Sequence, residues 1–99
     1  MGNSLKSAAY LIESRIADAA RGDNEALYDL GVAYAAGSDG FDVDLVEAHK
    51  WFNLASLNGN RDAQRCRAEI SDEMTAREIA EAQRQARAWL AASSQRAAA

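Results

Sequence analysis

The chain has 99 residues, of which 23 are alanine and none is proline, and its net charge is −4 at neutral pH. This length fits one small domain, and alanine enrichment without alternating β-branched residues favours helices over strands. No apolar stretch approaches the ~18 residues of a membrane-spanning helix, and the acidic balance disfavours nucleic acid, because binding phosphates requires a basic surface.

A first helix is predicted over residues 4–20, with Asn3 or Ser4 as its cap and Gly22 at its end. Its apolar residues recur at helical spacing: Leu5, Ala9, Ile12, Ile16 and Ala19. Residues 1–12 contain no clear secretory cleavage site, so we expect a cytoplasmic protein.

Two further helices are predicted over residues 24–36 and 45–57. Each has one apolar stripe, formed by Ala26, Leu30, Ala33 and Tyr34 in the first and by Leu45, Ala48, Trp51, Phe52 and Ala55 in the second. The two stripes should face each other, with Trp51 buried between these helices. Gly31 lies inside the first helix, where glycine costs ~1 kcal/mol relative to alanine, which favours a role in close approach of a neighbouring helix.

The ends of these helices carry recognisable signals. Asp44 followed three residues later by Glu47 resembles a capping box and predicts the start of the second helix. Gly37 and Gly59 fit the left-handed residue that ends many helices. Spacings of 37 residues, between Ala26 and Ala63 and between Gly22 and Gly59, indicate a repeat period.

Residues 26–59 resemble a Sel-one-like repeat, a relative of the tetratricopeptide repeat. The family pattern runs through Ala, Leu-Gly, Tyr, Gly, a Gly-containing turn, Asp, Ala, Trp, Ala and a closing Gly. In this sequence the pattern falls on Ala26, Leu30, Gly31, Tyr34, Gly37, Gly40, Asp44, Ala48, Trp51, Ala55 and Gly59, flanked by Gly22 and Ala63. The departures are one extra residue in the turn, Phe41 in place of the usual valine and Ser56 in place of an alanine.

The pattern fades after Gly59. Ala63, Cys66 and Ile70 continue a helical stripe over residues 60–70, but Arg67 and Ala68 stand where Leu30 and Gly31 would repeat. A second capping box, Thr75 with Glu78, begins a last helix over 76–92, and residues 93–99 are expected to fray. The last helix has its own apolar stripe: Ile79, Ala82, Ala86, Trp89 and Leu90.

These elements predict an all-α fold over residues 1–92, a short α-solenoid of about five helices in antiparallel pairs. Residues 24–57 form the one full repeat unit, 60–92 a partial second unit with a C-terminal cap, and 4–20 an N-terminal capping helix. Since stacked arrays generally need three or more units, the end helices must cover exposed apolar surface or present it to a second copy. We expect a homodimer with the first or last helix as the seam.

The resemblance implies a protein or peptide partner, bound on the face formed by the first helix of each unit. The positions predicted to share that face are Leu27, Val32, Gln64 and Arg65. Tyr28 is a further candidate, although an aromatic residue at that position also fits packing in the core. Neither a cofactor nor a metal is expected.

Catalysis and nucleic-acid binding are the alternatives. The only cysteine, Cys66, belongs to an apolar stripe and is expected in the core, whereas His49 lies off its helix's stripe and is expected at the surface. The acids around Gly40 do not follow the order of a calcium-binding loop, so a turn with Asp44 as helix cap is predicted. The turn over 36–45 is too long for a helix-turn-helix protein, whose turn spans ~3–4 residues.

Overall fold

The computed structural model describes residues 4–38 and 40–98, with side chains described over residues 9–38 and 40–94. These residues contain no strand and form five helices: α1 (Ser4–Ala20), α2 (Asn24–Ala36), α3 (Leu45–Leu57), α4 (Arg61–Ser71) and α5 (Ala76–Ala98). The all-α prediction is therefore confirmed. The stacking of these helices as a solenoid stays a prediction, and Asn3, a proposed cap, lies outside the described residues.

The last helix is longer than predicted. It continues to Ala98, through residues expected to fray. Residues 93–98 contain neither glycine nor proline, so no residue there interrupts the intrahelical hydrogen bonds. The prediction that α5 ends near residue 92 is corrected for this reason.

Capping side chains fix where α3 and α5 begin. Asp44 Oδ1 accepts from the backbone N–H of Glu47 at 3.1 Å. The reciprocal bond is not formed, because the Glu47 carboxylate accepts instead from Lys50 Nζ and Trp51 Nε1. At α5 the box is complete: the Thr75 N–H donates to Glu78 Oε1 at 2.8 Å, and the Glu78 N–H donates to Thr75 Oγ1 at 3.1 Å.

Left-handed glycines follow α2 and α3, as predicted. Gly37 ends α2 with φ 66° and ψ 34°, and its N–H donates to the Ala33 carbonyl at 2.9 Å. Gly59 has φ 93° and follows Asn58, which ends α3. Other residues adopt such positive φ values rarely, so the chain reverses direction at these points at low cost.

Helix α3 lies at the centre of the fold and packs against α2, α4 and α5, while α1 packs against α2. The alanines and large residues of the repeat pattern form the core, as the stripes predicted. Those with at most 5% of their surface exposed are Ala26, Leu30, Ala48, Trp51, Ala55 and Ala63. Tyr34 is half-buried and packs edge-on against buried Phe41, with ring centroids 4.9 Å apart.

Gly31 of α2 lies directly against the ring of Phe52 in α3. A Cβ atom at this position would lie 2.5 Å from Cδ1 and 2.6 Å from Cε1 of Phe52, whose side chain is fully buried. Real Cβ atoms do not approach so closely, so the ring of Phe52 occupies the space that any side chain at Gly31 would need. The predicted role of Gly31 is confirmed.

Trp51 is buried, as predicted, but its ring partner comes from an unexpected helix. Its indole packs edge-on against that of Trp89 in α5, with centroids 4.9 Å apart. Its Nε1 donates to Glu47 Oε2 at 2.9 Å, and Lys50 Nζ lies 4.6 Å from its ring centroid. The expectation placed Trp51 between α2 and α3, and the structure shows that it joins α3 to α5.

Candidate interaction surface

An open apolar groove of about 360 Å³ runs between α2 and α4, with fully buried Phe52 of α3 at its base. Four α2 residues and three α4 residues complete the lining. They are Tyr28, Val32, Ala35 and Ala36 on one side and Cys66, Glu69 and Ile70 on the other.

Helical spacing explains why these residues share the groove. Tyr28, Val32 and Ala35 are four and three residues apart in α2, and Cys66 and Ile70 are four apart in α4. Residues at these spacings lie on one face of a helix. Helices α2 and α4 both pack against α3, which lies between them. Their two faces therefore border a single gap above Phe52.

Tyr28 forms one wall of the groove. Its ring lies 5.7 Å from that of Phe52, tilted by 52°. Burial is the main cause that raises the pKa of the Tyr28 phenol above its usual value, and the nearby Cys66 and Asp62 raise this pKa further. The nearby Arg65 lowers it by a smaller amount. The hydroxyl therefore stays protonated at neutral pH and presents no charge to a ligand.

Two of the predicted binding residues lie in the groove. Tyr28 is half-buried there, and Val32 is 39% exposed. Gln64 and Arg65 are exposed on α4 but do not line the groove, and Arg65 Nη2 lies 2.8 Å from Asp62 Oδ1.

The assignment of Leu27 to a binding face is wrong. Leu27 is 4% exposed and belongs to the hydrophobic core. The prediction assumed that α2 buries a single stripe, but α2 packs against both α1 and α3, so more of its circumference is covered. A charge at this position would disturb the core instead of probing a surface.

Sequence reasoning did not assign the α4 wall to a binding surface. It predicted a core stripe with Cys66 and Ile70, and this is confirmed, since Ile70 is buried in the core and Cys66 packs against it. Cys66 is half-buried and contacts the core from within the groove. The spacing of residues 66, 69 and 70 would have placed Glu69 on the same face as the other two.

A polar contact joins α3 to α4 where the repeat pattern fades. Arg67, which stands at the position equivalent to Leu30, donates from Nη1 to Asn53 Oδ1 and, at 3.2 Å, to Ser56 Oγ. Ser56 is itself a departure from the family's alanine. The two departures, Arg67 and Ser56, therefore compensate each other. Arg67 replaces an apolar residue and is half-buried, and Ser56 and Asn53 accept hydrogen bonds from its guanidinium.

The prediction that His49 lies at the surface is wrong. His49 is 3% exposed, and its Nδ1 has no hydrogen-bond partner within the described part of the chain. Because α3 packs against three helices, a residue off its main stripe is also covered. Burial lowers the pKa of the imidazole, and the nearby Arg67 guanidinium lowers it further.

His49 should therefore make stability depend on pH. The folded-state pKa lies below the unfolded value of about 6.5, so the unfolded chain binds more protons as pH falls below that value, and folding weakens. In the wild type, we expect the free energy of unfolding to fall by up to about 1.4 kcal/mol for each pH unit below pH ~6.5. In His49→Leu, we expect this fall to be absent. Urea denaturation between about pH 7.5 and 5.5 measures this, since no other side chain ordinarily titrates there and the chain has one histidine. Equal slopes for wild type and variant would contradict the assignment.

The described acids around Gly40 form no cluster that could hold a metal ion. Asp44 acts as a helix cap, as predicted, while Asp39 lies outside the described residues. Within residues 9–38 and 40–94, no three His, Cys, Asp or Glu side chains are arranged to hold an ion. A cleft of about 260 Å³ between α1 and α2 is bordered by acids, and one of them, Asp29, is paired with Arg15 at 3.2 Å.

None of the described helices combines the length and apolar character needed to cross a membrane. No family model, curated protein or solved structure matches the chain.

Proposed function

We propose that this chain is a non-catalytic protein-interaction module of the Sel-one-like repeat type, which binds a protein or peptide partner in the groove between α2 and α4. The supporting observation is the position of that groove. It lies between the two helices that the resemblance assigns as the first helices of successive units, and it contains Tyr28 and Val32, two of the residues predicted to bind.

The chemistry of the groove suits this role. Exposed Val32 and half-buried Tyr28 line one side of the groove and buried Ile70 the other, above a floor formed by Phe52. A concave, apolar strip bounded by helices is a typical binding surface for the apolar face of a partner segment.

A charge at Val32, in the apolar part of the groove, should weaken partner capture. We expect Val32→Glu to weaken binding by more than about tenfold, because the carboxylate would lose water on binding without gaining a partner. The measurement is a tagged pull-down from cells that naturally produce the protein, followed by mass spectrometry of the captured proteins.

Leu57→Glu is the matched control. Leu57 is also an exposed apolar side chain on a helix, 62% exposed, but it lies on α3, outside the groove and outside both helices predicted as dimer seams. Circular dichroism should show the same helical content in both variants. If both capture the same proteins as wild type, the groove is not the binding surface.

We also propose that the chain forms a homodimer. Tyr10 on α1 is 71% exposed and Leu90 on α5 is 43% exposed, so both helices predicted as seams offer an apolar side chain to a second copy. A cytoplasmic location is part of the same proposal.

A further inference from the structure

Among the described residues, Glu69 is the only carboxylate that lines the groove. It is exposed on α4, and no ion pair or hydrogen bond engages its side chain among the described residues. The nearest arginines in sequence are already engaged, since Arg65 pairs with Asp62 and Arg67 donates to Asn53 and Ser56. The groove therefore combines an apolar floor with one uncompensated negative charge.

The architecture also restricts the shape of a ligand. An extended peptide can add to a sheet edge, but the described residues contain no strand that would offer one. A groove between two helices instead accepts an amphipathic helix, whose apolar residues at i, i+3 or i+4 reach the floor. A residue one turn further along the same face then lies beside the apolar contact.

We propose that the groove binds an amphipathic helical segment of another protein, in which two apolar anchors are followed within one turn by a lysine or arginine that pairs with Glu69. This inference rests on the proposed function and specifies the partner. The acidic balance of the whole chain, −4 at neutral pH, favours the same basic ligand. The apolar anchors supply the binding free energy, and the ion pair supplies the selection among apolar helices.

Selection from a displayed library of helical peptides, randomised on one face, tests this directly. With the wild-type protein as bait, we expect peptides enriched in two apolar residues and a Lys or Arg one turn away, with the basic residue favoured about fivefold. With Glu69→Arg as bait, the preference at that position should reverse to Asp or Glu. Glu13→Arg, a charge reversal at an exposed residue of α1 outside the groove, should leave the basic preference unchanged.

The outcomes separate the inference from the function on which it rests. If enriched peptides lose binding to Val32→Glu but show no basic preference, the groove binds peptides and the role of Glu69 is wrong. If the preference is basic but survives Glu69→Arg, another surface supplies the charge, and the inference fails. If no peptide is enriched on wild type over Val32→Glu, both the inference and the proposed use of the groove are overturned.

Discussion

Replacing Trp51 with alanine is expected to lower the free energy of unfolding by about 3–5 kcal/mol. Trp51 is 2% exposed, its indole packs against Trp89, and its Nε1 donates to Glu47. The substitution therefore removes a large apolar contact between α3 and α5, leaves a cavity and removes one of the hydrogen bonds to the Glu47 carboxylate, which keeps its contact with Lys50. Since small domains have total stabilities of about 5–15 kcal/mol, this loss would populate the unfolded state substantially.

Urea denaturation followed by circular dichroism measures the loss, and fluorescence gives a second readout. The chain has two tryptophans, so only Trp89 emits in the variant. We expect its emission to shift to longer wavelength, because removal of the neighbouring indole exposes the ring to water.

Two controls make the expectation specific. Trp51→Phe keeps an aromatic ring and should retain most of the stability, losing mainly the Glu47 hydrogen bond. Leu57→Ala, at a side chain of the same helix that is 62% exposed, should change the free energy by less than about 0.5 kcal/mol. An unchanged melting temperature for Trp51→Ala would overturn the role of Trp51 in the core.

The sequence predicted the elements well because their signals are local. Asp44, Thr75 and Gly37 act through bonds to residues within four positions, so cap and stop signals require no knowledge of the tertiary fold. Helical spacing identified the buried alanines in the same way. The start of α4 and the full length of α5 were placed less accurately, and α5 continued because no residue there ends it.

The errors share one physical cause. His49 and Leu27 were assigned to the surface because each lies off the main stripe of its helix, which is correct for a helix with one neighbour. Helices α2 and α3 have several neighbours, and contacts with the additional ones bury these side chains. Which face those neighbours cover depends on the crossing of the helices, which residue spacing does not specify.

Only part of the candidate site could be predicted from the sequence, and the reason is related. Tyr28 and Val32 were identified from the face of α2 on which they lie. The width of the gap to α4 depends on the volumes of Phe52 and Ile70 and on how closely α2 approaches α3 at Gly31. That is a property of packing and not of either helix alone.

Gly31→Ala is expected to destabilise the protein although alanine is the better helix former. The added methyl group would collide with the ring of Phe52, and overpacking of this kind costs about 1–3 kcal/mol. Improved helix propensity returns about 1 kcal/mol, so the net loss should be up to about 2 kcal/mol. Chemical denaturation of wild type and variant provides the measurement.

A double-mutant cycle with Phe52→Leu isolates the collision. Leucine lacks the rigid ring, and its terminal methyl groups can rotate away from residue 31, so the space for a Cβ atom opens. In this background we expect Gly31→Ala to be neutral or stabilising by up to about 1 kcal/mol, because the gain in helix propensity remains. Whether Gly31→Ala stabilises or destabilises the protein would thus depend on residue 52, and the coupling free energy would equal the cost of the collision, up to about 3 kcal/mol. Additive effects of the two substitutions would show that the cost of a side chain at Gly31 does not come from Phe52.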